Sequence, residues 1–417
     1  MKKLLLLSFL LFLIISPAAA AENLIAVKAK KIVTVSGREI ENGVILIRGD
    51  KIEKAGQNIA VPPGYILYDY GKYTVYPGLI NSMTSLGLSG IDSIDMWQDT
   101  REEGKYKPHL SVYTAFYPWS KLIPNARQFG TLTAVAAPSG GVIPGKAVLV
   151  NLAGWVPGDM FIEKELALIV RLPESSRKKK KSSAPKVSMS KAKKELKKYF
   201  TKAQKYYLRA GKGISQDFNP EFEGMKALWA EGLPVIMSAN SAADIRFAIK
   251  MGKEFKLKLI LYGIYDGEDV LKEIKASGYP VILASMYNSN RDWEDGCDKV
   301  FRLPGALTAA GIEFAFSTGG ASSAFDLPLH AGRAAAYGLT PTEAVKALTL
   351  YPARILGIED YGSIAAGKIA NLIVTDGDIL ETSTLVKGVF IKGRKIKGRS
   401  FFQQEYERAK DKISGVK

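Results

Sequence analysis

Apolar and polar residues alternate from Asn23 to Tyr68 in the runs LIAVKAKKIVTV and GVILIRGDKIEKAG, with turn residues at Ser36-Gly37 and Gly49-Asp50. A period of two with Gly and Asp at the breaks predicts short, half-buried strands and a tight hairpin. The same texture returns near the C-terminus in GSIAAGKIANLIVTDGDIL and LVKGVFIKGRKIKGRSF. Two β-rich ends around a long middle predict one small β-sandwich assembled from both.

The middle has another rhythm. Asn219 stands as a cap before Pro220, Glu221 and Glu223, and Gly232 closes the helix they begin. Strand PVIMSA follows from Pro234, then helix SAADIRFAIKMGKEF from Ser241, strand LKLILYG and helix GEDVLKEIKASG. Strand PVILAS from Pro280, a helix from Asp298 to Ala310 and strand IEFAFST complete the series. Strand starts at 234, 258 and 280 are 24 and 22 residues apart, the spacing of βα units in a parallel sheet. Short, wholly apolar strands with right-handed crossovers fit a (β/α)8 barrel or a doubly wound open sheet. Upstream, TAVAAPSGGVIPGKAVLVNLAGW reads as an apolar strand whose glycines, Gly140, Gly141 and Gly145, suit a loop lining a pocket. It lacks the strand-G-x-G-x-x-G-helix pattern of a dinucleotide cradle.

Length and charge refine this picture. The 417 residues exceed the usual compact domain, so a barrel of roughly 250 residues with a smaller domain is expected. Met1 to Ala21 has the basic start, apolar run and small-residue end of a signal peptide, which predicts export to the periplasm or cell envelope. Cys297 is the single cysteine, which excludes an intrachain disulfide. Of the chain's formal charge of +17, residues 177–213 supply +14, from thirteen lysines, two arginines and Glu195. The basic character therefore belongs to one insertion. Ser190 is expected to cap a helix there, with Leu196, Tyr199, Phe200, Ala203, Tyr206 and Tyr207 at three- and four-residue spacing. Such a helix either packs its apolar stripe on the barrel or meets an anionic membrane surface or an acidic envelope partner through Lys178 to Lys205. Nucleic acid is not an expected partner of an exported protein.

The stretch with the most specific signal is Val75 to Gly87, VYPGLINSMTSLG, in which Pro77-Gly78 breaks a strand and Leu79-Ile80 begins a short buried one. Here the chain resembles the amidohydrolase superfamily, and within it the imidazolonepropionase-like periplasmic amidohydrolases. Their first barrel strand has the pattern P-G-[LF]-I-[DN]-x-H-x-H, with both histidines on the catalytic metal. GSIAAGKIANLIV resembles the C-terminal signature of the same family, so the resemblance spans nearly the whole mature chain. It implies a (β/α)8 TIM-like barrel with its site at the C-terminal strand ends, a composite β-sandwich, and a possible homodimer.

Laid on that pattern, Pro77, Gly78, Leu79, Ile80 and Asn81 match, while Met83 and Ser85 hold the two histidine positions. The strand from Pro234 would end in a metal-binding histidine and has Ser238; the next would offer another and has Leu261, Tyr262 and Gly263. The last barrel strand of the family ends in T-D, with the aspartate on the metal, and this chain has Thr318-Gly319. A catalytic zinc needs about three nitrogen or carboxylate ligands, and none of Met83, Ser85, Ser238 and Gly319 supplies one. The chain has two histidines: His109, in a loop, and His330, at the start of the last barrel helix, where it is a candidate pocket residue. The acids Asp92, Asp95, Asp99, Glu102 and Glu103 lack the spacing of a known oxygen-ligand loop. No G-x-S-x-G elbow is present.

The sequence therefore predicts a signal peptide over residues 1–21, sandwich segments over 22–76 and 355–417, and a barrel over 77–354 bearing the lysine-rich insertion 177–213. The expected function is that of an exported amidohydrolase-like protein with no catalytic residues and no metal cofactor, binding a small molecule or a protein partner. The alternative is a divergent hydrolase of carbon–nitrogen bonds other than peptides, with zinc or another divalent metal on replacement ligands from the acidic loop, His109 or His330. A structural role in the envelope centred on the basic helix is a third reading.

Overall fold

The computed structural model describes residues 23–90, 98–172, 189–287, 296, 298–398 and 400–414. The expected signal peptide, Asp92, Asp95, Cys297 and the lysines from 178 to 186 lie outside the described residues. The N-terminal alternation forms four strands, β1 (Leu24–Ile32), β2 (Ile40–Arg48), β3 (Lys51–Gln57) and β4 (Ile66–Pro77). The β2–β3 hairpin turns at Gly49, whose φ of 62° lies in the left-handed region that glycine enters without a Cβ clash.

At Gly78 the chain leaves this sheet and enters a second one. A Cβ at Gly78 would stand 2.6 Å from a Leu132 methyl, so only glycine allows the approach. The second sheet is an eight-stranded barrel in chain order: β5 (Leu79–Thr84), β6 (Thr131–Ala136), β7 (Gly145–Asn151), β8 (Phe161–Arg171), β9 (Val235–Ala239), β10 (Leu259–Gly263), β11 (Val281–Leu283) and β12 (Phe314–Phe316). Ile80, Val135, Ala147, Leu149, Ala167, Ile169, Ile236, Ile260, Ile282 and Ala315 form one buried cluster, while alternate neighbours such as Leu168, Val170, Val235, Met237, Leu261 and Val281 belong to another. Both strand faces are thus buried, which is why these segments read as unbroken apolar runs.

The sequence expectation of uniformly repeated βα units needs one correction. TAVAAPSGGVIPGKAVLVNLAGW is not one strand: it contains β6 and β7, and β7 runs antiparallel to both β6 and β8. The link from Ala136 to Gly145 is too short for the dozen or more residues that a parallel crossover requires, so the chain simply turns back. Gly140 and Gly141, with φ of 79° and 70°, make that turn. They pack against the Arg101–Lys105 segment: a Cβ at Gly141 would meet the Gly104 carbonyl oxygen at 2.6 Å.

The barrel closes between its first and last strands. Asn81, fully buried, donates from Nδ2 to Thr318 Oγ1 at 2.8 Å and accepts from the Thr318 amide at 3.2 Å. Gly319 donates its amide to the Met83 carbonyl at 3.0 Å, and Ser85 donates to the Gly319 carbonyl at 2.9 Å. Thr84 Oγ1 adds a bond to the Gly320 carbonyl at 2.9 Å.

The C-terminal strands, β13 (Leu372–Thr375), β14 (Val386–Ile391) and β15 (Arg394–Lys395), complete the first sheet in the order β15-β14-β13-β4-β1-β2-β3. Contacts of Lys51 and Ile52 with Ile369 and Lys368 bring the β3 edge back to the start of β13. The sheet thereby folds over a core that includes Ile25, Val27, Ile45, Ile47, Leu372, Val374 and Phe390. A buried polar knot joins this sheet to the barrel floor: Asn371 Nδ2 donates to Asn151 Oδ1 at 2.7 Å, and Asn151 Nδ2 donates to the Tyr361 hydroxyl at 3.2 Å.

The lysine-rich helix runs over Met189–Gly211, with Leu196, Phe200 and Ala203 wholly buried against the barrel. Lys193 pairs with the buried Asp244 carboxylate at 2.5 Å, in the first turn of the helix Ala242–Phe255 that Ser241 caps.

His330 is fully buried in the helix Leu327–Ala335. Its Nδ1 accepts a hydrogen bond from the Met286 amide at 3.4 Å, and its ring meets Tyr287 edge-on at 4.9 Å. Burial lowers its pKa to about 4, since the imidazolium would lose its hydration.

Two outcomes follow from these packings. Asn81→Ala leaves the Thr318 amide without its acceptor and is expected to cost about 1 to 3 kcal/mol in urea unfolding. His330 takes up its proton more readily in the unfolded chain, so stability falls as pH drops from 6.5 toward about 4. Between pH 7 and pH 5 the loss is roughly 2 kcal/mol, from the roughly 1.4 kcal/mol carried by each pKa unit. His330→Leu is expected to flatten that part of the stability profile, measured by urea midpoints at the two pH values.

Candidate functional site

The C-terminal ends of the parallel strands surround a cavity of about 550 Å3. Ile169, Ile236 and Met83 supply its apolar walls, and Thr84, Ser85, Ser139, Ser238, Asn240 and Tyr262 its polar ones. The structure places all four positions aligned with the family's metal ligands, Met83, Ser85, Ser238 and Gly319, on this one wall. Their convergence follows from the barrel itself, which brings strand ends distant in sequence to one rim.

Arg171, Ser238 and Tyr262 stand side by side, because Arg171 pairs with Ser238 across β8 and β9, and Ser238 with Tyr262 across β9 and β10. Arg171 is the one ionised side chain among the described lining residues, and it has no ion-pair partner among the described residues. Burial raises the Tyr262 pKa, opposed by a hydrogen bond with Ser317 and by the Arg171 charge. At neutral pH the tyrosine is therefore a neutral hydroxyl in the cavity wall. The sequence reading placed Tyr262 at a strand end but missed Arg171. Its signal was there: ELALIVRL is an apolar run ended by an arginine, as a buried barrel strand reaching a pocket would be.

The family fold implies a metal at this rim, and the residues present do not fit one. The Ser238 hydroxyl accepts the Leu172 amide at 3.1 Å, so it serves to terminate β8. Gly319 has a φ of 73° and its Cβ position is 3.8 Å from the Tyr262 hydroxyl. A side chain at residue 319 would be strained on this left-handed backbone, with the Tyr262 hydroxyl in ordinary contact with its Cβ. Met83 and Ser85 complete a donor set without imidazole or carboxylate, and a guanidinium on the same wall repels a cation.

The two histidines do not join this site. The candidate assignment of His330 to the pocket is corrected: it does not line the cavity, because its helix packs outside the barrel and turns the ring toward Met286 and Tyr287. His109 is exposed in a separate surface depression near Glu102, Glu103 and Glu221. Asp99, Glu102 and Glu103 are exposed and lie outside the mouth cavity, whereas Gln98 and Thr100 of the same loop line it. The glycines of the β6–β7 turn also stay back from the cavity, and Pro138 and Ser139 face it instead. Among the described residues no three His, Cys, Asp or Glu side chains are grouped as a metal site.

Comparison with solved structures finds the same fold. An amidohydrolase from Thermotoga maritima MSB8 aligns with a TM-score of 0.80 at 22% identity, over 90% of this chain and 100% of that one. A prolidase complexed with N-methylphosphonate-L-proline aligns at a TM-score of 0.57 and 14% identity, over 90% and 100% of the two chains. An ochratoxinase from A. niger aligns at 0.54 and 15%, over 90% and 96%. Comparison with curated proteins returns no match. The sequence model of the amidohydrolase family matches residues 155–396. With this match over more than half of the chain, an eight-stranded barrel and a separate sheet built from both chain ends, the chain belongs to the amidohydrolase family.

Proposed function

We propose that this chain is a metal-independent member of the family that holds a small carboxylic acid at the barrel mouth and does not perform metal-dependent hydrolysis. The observation that carries this reading is the row Arg171, Ser238 and Tyr262 on the cavity wall. A guanidinium offers a planar fork that matches a carboxylate with two parallel hydrogen bonds. Tyr262 adds a neutral hydroxyl beside it, and Ile169, Ile236 and Met83 give apolar contact to the body of the ligand. A cavity with mostly uncharged walls and a few convergent polar groups is the usual form of a small-molecule site. The alternative of a hydrolase with replacement ligands is disfavoured by the separation of His109 from His330 and of both from the mouth.

Two measurements test the proposal. After incubation with zinc and manganese and desalting, elemental analysis is expected to find well below one metal per chain; a stoichiometric metal would overturn the metal-independent reading. In calorimetric titrations with a panel of small apolar carboxylic acids, at least one is expected to bind, and Arg171→Gln to weaken it by about tenfold or more, from the roughly 1.5 to 3 kcal/mol of a hydrogen bond to a charged group. Equal binding of the corresponding amides, or no effect of Arg171→Gln, would refute the assigned ligand class.

A further inference from the structure

The lysine-rich helix Met189–Gly211 has two faces with different fates. Its apolar residues turn inward, where Tyr199 stacks on Tyr106 at 4.1 Å and Phe200 packs against Phe255 at 5.5 Å. Lys193 and Lys197 sit at the flank of that face and are held by Asp244 and Glu254. The remaining cations form a stripe. Lys191, Lys194, Lys198, Lys202, Lys205 and Arg209 are all exposed, at successive spacings of 3, 4, 4, 3 and 4. At 3.6 residues per turn they fall within an arc of about 80° and extend for about 27 Å. None has an ion-pair partner among the described residues. Glu195 is the helix's single acid, and it leans toward Lys105 at 3.9 Å.

We infer that this face docks on an anionic lipid surface, with the helix lying flat against it. A straight row of point charges on one side of a helix matches a plane of anionic headgroups, where each cation contributes about 1 kcal/mol. At the C-terminal end of the row Leu208 and Ile214 are 52% and 45% exposed, apolar groups that can enter the headgroup boundary as interfacial helices do. A nucleic acid is the less suitable polyanion. Five of the six cations are lysines, without Arg's bidentate fork, and Tyr199, Tyr206 and Tyr207 are engaged with Tyr106, Phe222 and Trp229, leaving no base-stacking platform on the helix. Among the described residues no helix is long and apolar enough to cross a membrane.

The test is co-sedimentation of the full chain with phosphatidylglycerol–phosphatidylcholine vesicles and with phosphatidylcholine vesicles alone. The apolar N-terminal segment is present throughout, so the difference between the two vesicle types is the readout. Stronger sedimentation with the anionic vesicles, lost as salt is raised, is expected. A variant with Lys194, Lys198, Lys202 and Lys205 all changed to Gln is expected to lose that difference, and single changes to lower partitioning about fivefold each. The single variants Lys198→Gln and Lys205→Gln decide the matter should the fourfold change disturb folding. Equal binding to both vesicle types, variants that sediment as the native chain does, or tighter binding to a single-stranded oligonucleotide than to anionic vesicles would overturn the inference.

Discussion

The hydrogen bonds of Asn81 with Thr318 hold the first strand of the barrel to the last, and the geometry of the mouth depends on them. An open sheet would leave unpaired backbone groups along two edges, whereas a closed one satisfies them internally. Closure also fixes where β5 ends. Met83 and Ser85 exchange backbone bonds with Gly319 and Thr84 bonds to Gly320, so five of the residues lining the cavity are also parts of the seam. The same bonds that shape this wall keep the barrel shut.

That constraint also ties the rim residues into the barrel. Ser238 accepts the Leu172 amide, Tyr262 faces Gly319, and Met83 belongs to the buried cluster of the barrel interior. Each of these residues makes a contact within the barrel itself. Among the described lining residues the one ionised side chain is Arg171, the group on which the proposed carboxylate ligand rests. The polar knot of Asn151, Asn371 and Tyr361 performs a comparable service at the opposite end, tying the first sheet to the barrel floor.

The histidines and the basic helix show the limits of linear reading. His330 has the sequence position of a pocket residue, at the start of a barrel helix, yet its ring turns into the core, where burial holds it neutral. Helical periodicity alone gave the apolar stripe at Leu196, Phe200 and Ala203 but not what it would meet. The structure sets that stripe against the barrel and its remaining lysines toward solvent. The antiparallel β7 was likewise hidden, because an apolar run interrupted by glycines has the same composition whether it continues or turns back.

By itself the sequence determined the classes of element and their grouping. Two-residue alternation at both ends specified the strands of the first sheet, repeated apolar runs between capped helices specified the barrel strands, and PGLIN marked the entry into the barrel. These are local matters, settled by side-chain period and backbone preference within a few residues. The tertiary structure alone decided which strand ends share a rim. Arg171, Ser238 and Tyr262 are adjacent only through strand register, and Asn81 meets Thr318 across more than two hundred residues of chain only through closure. Register and closure depend on the packing of the whole barrel, and no short stretch of sequence carries that information.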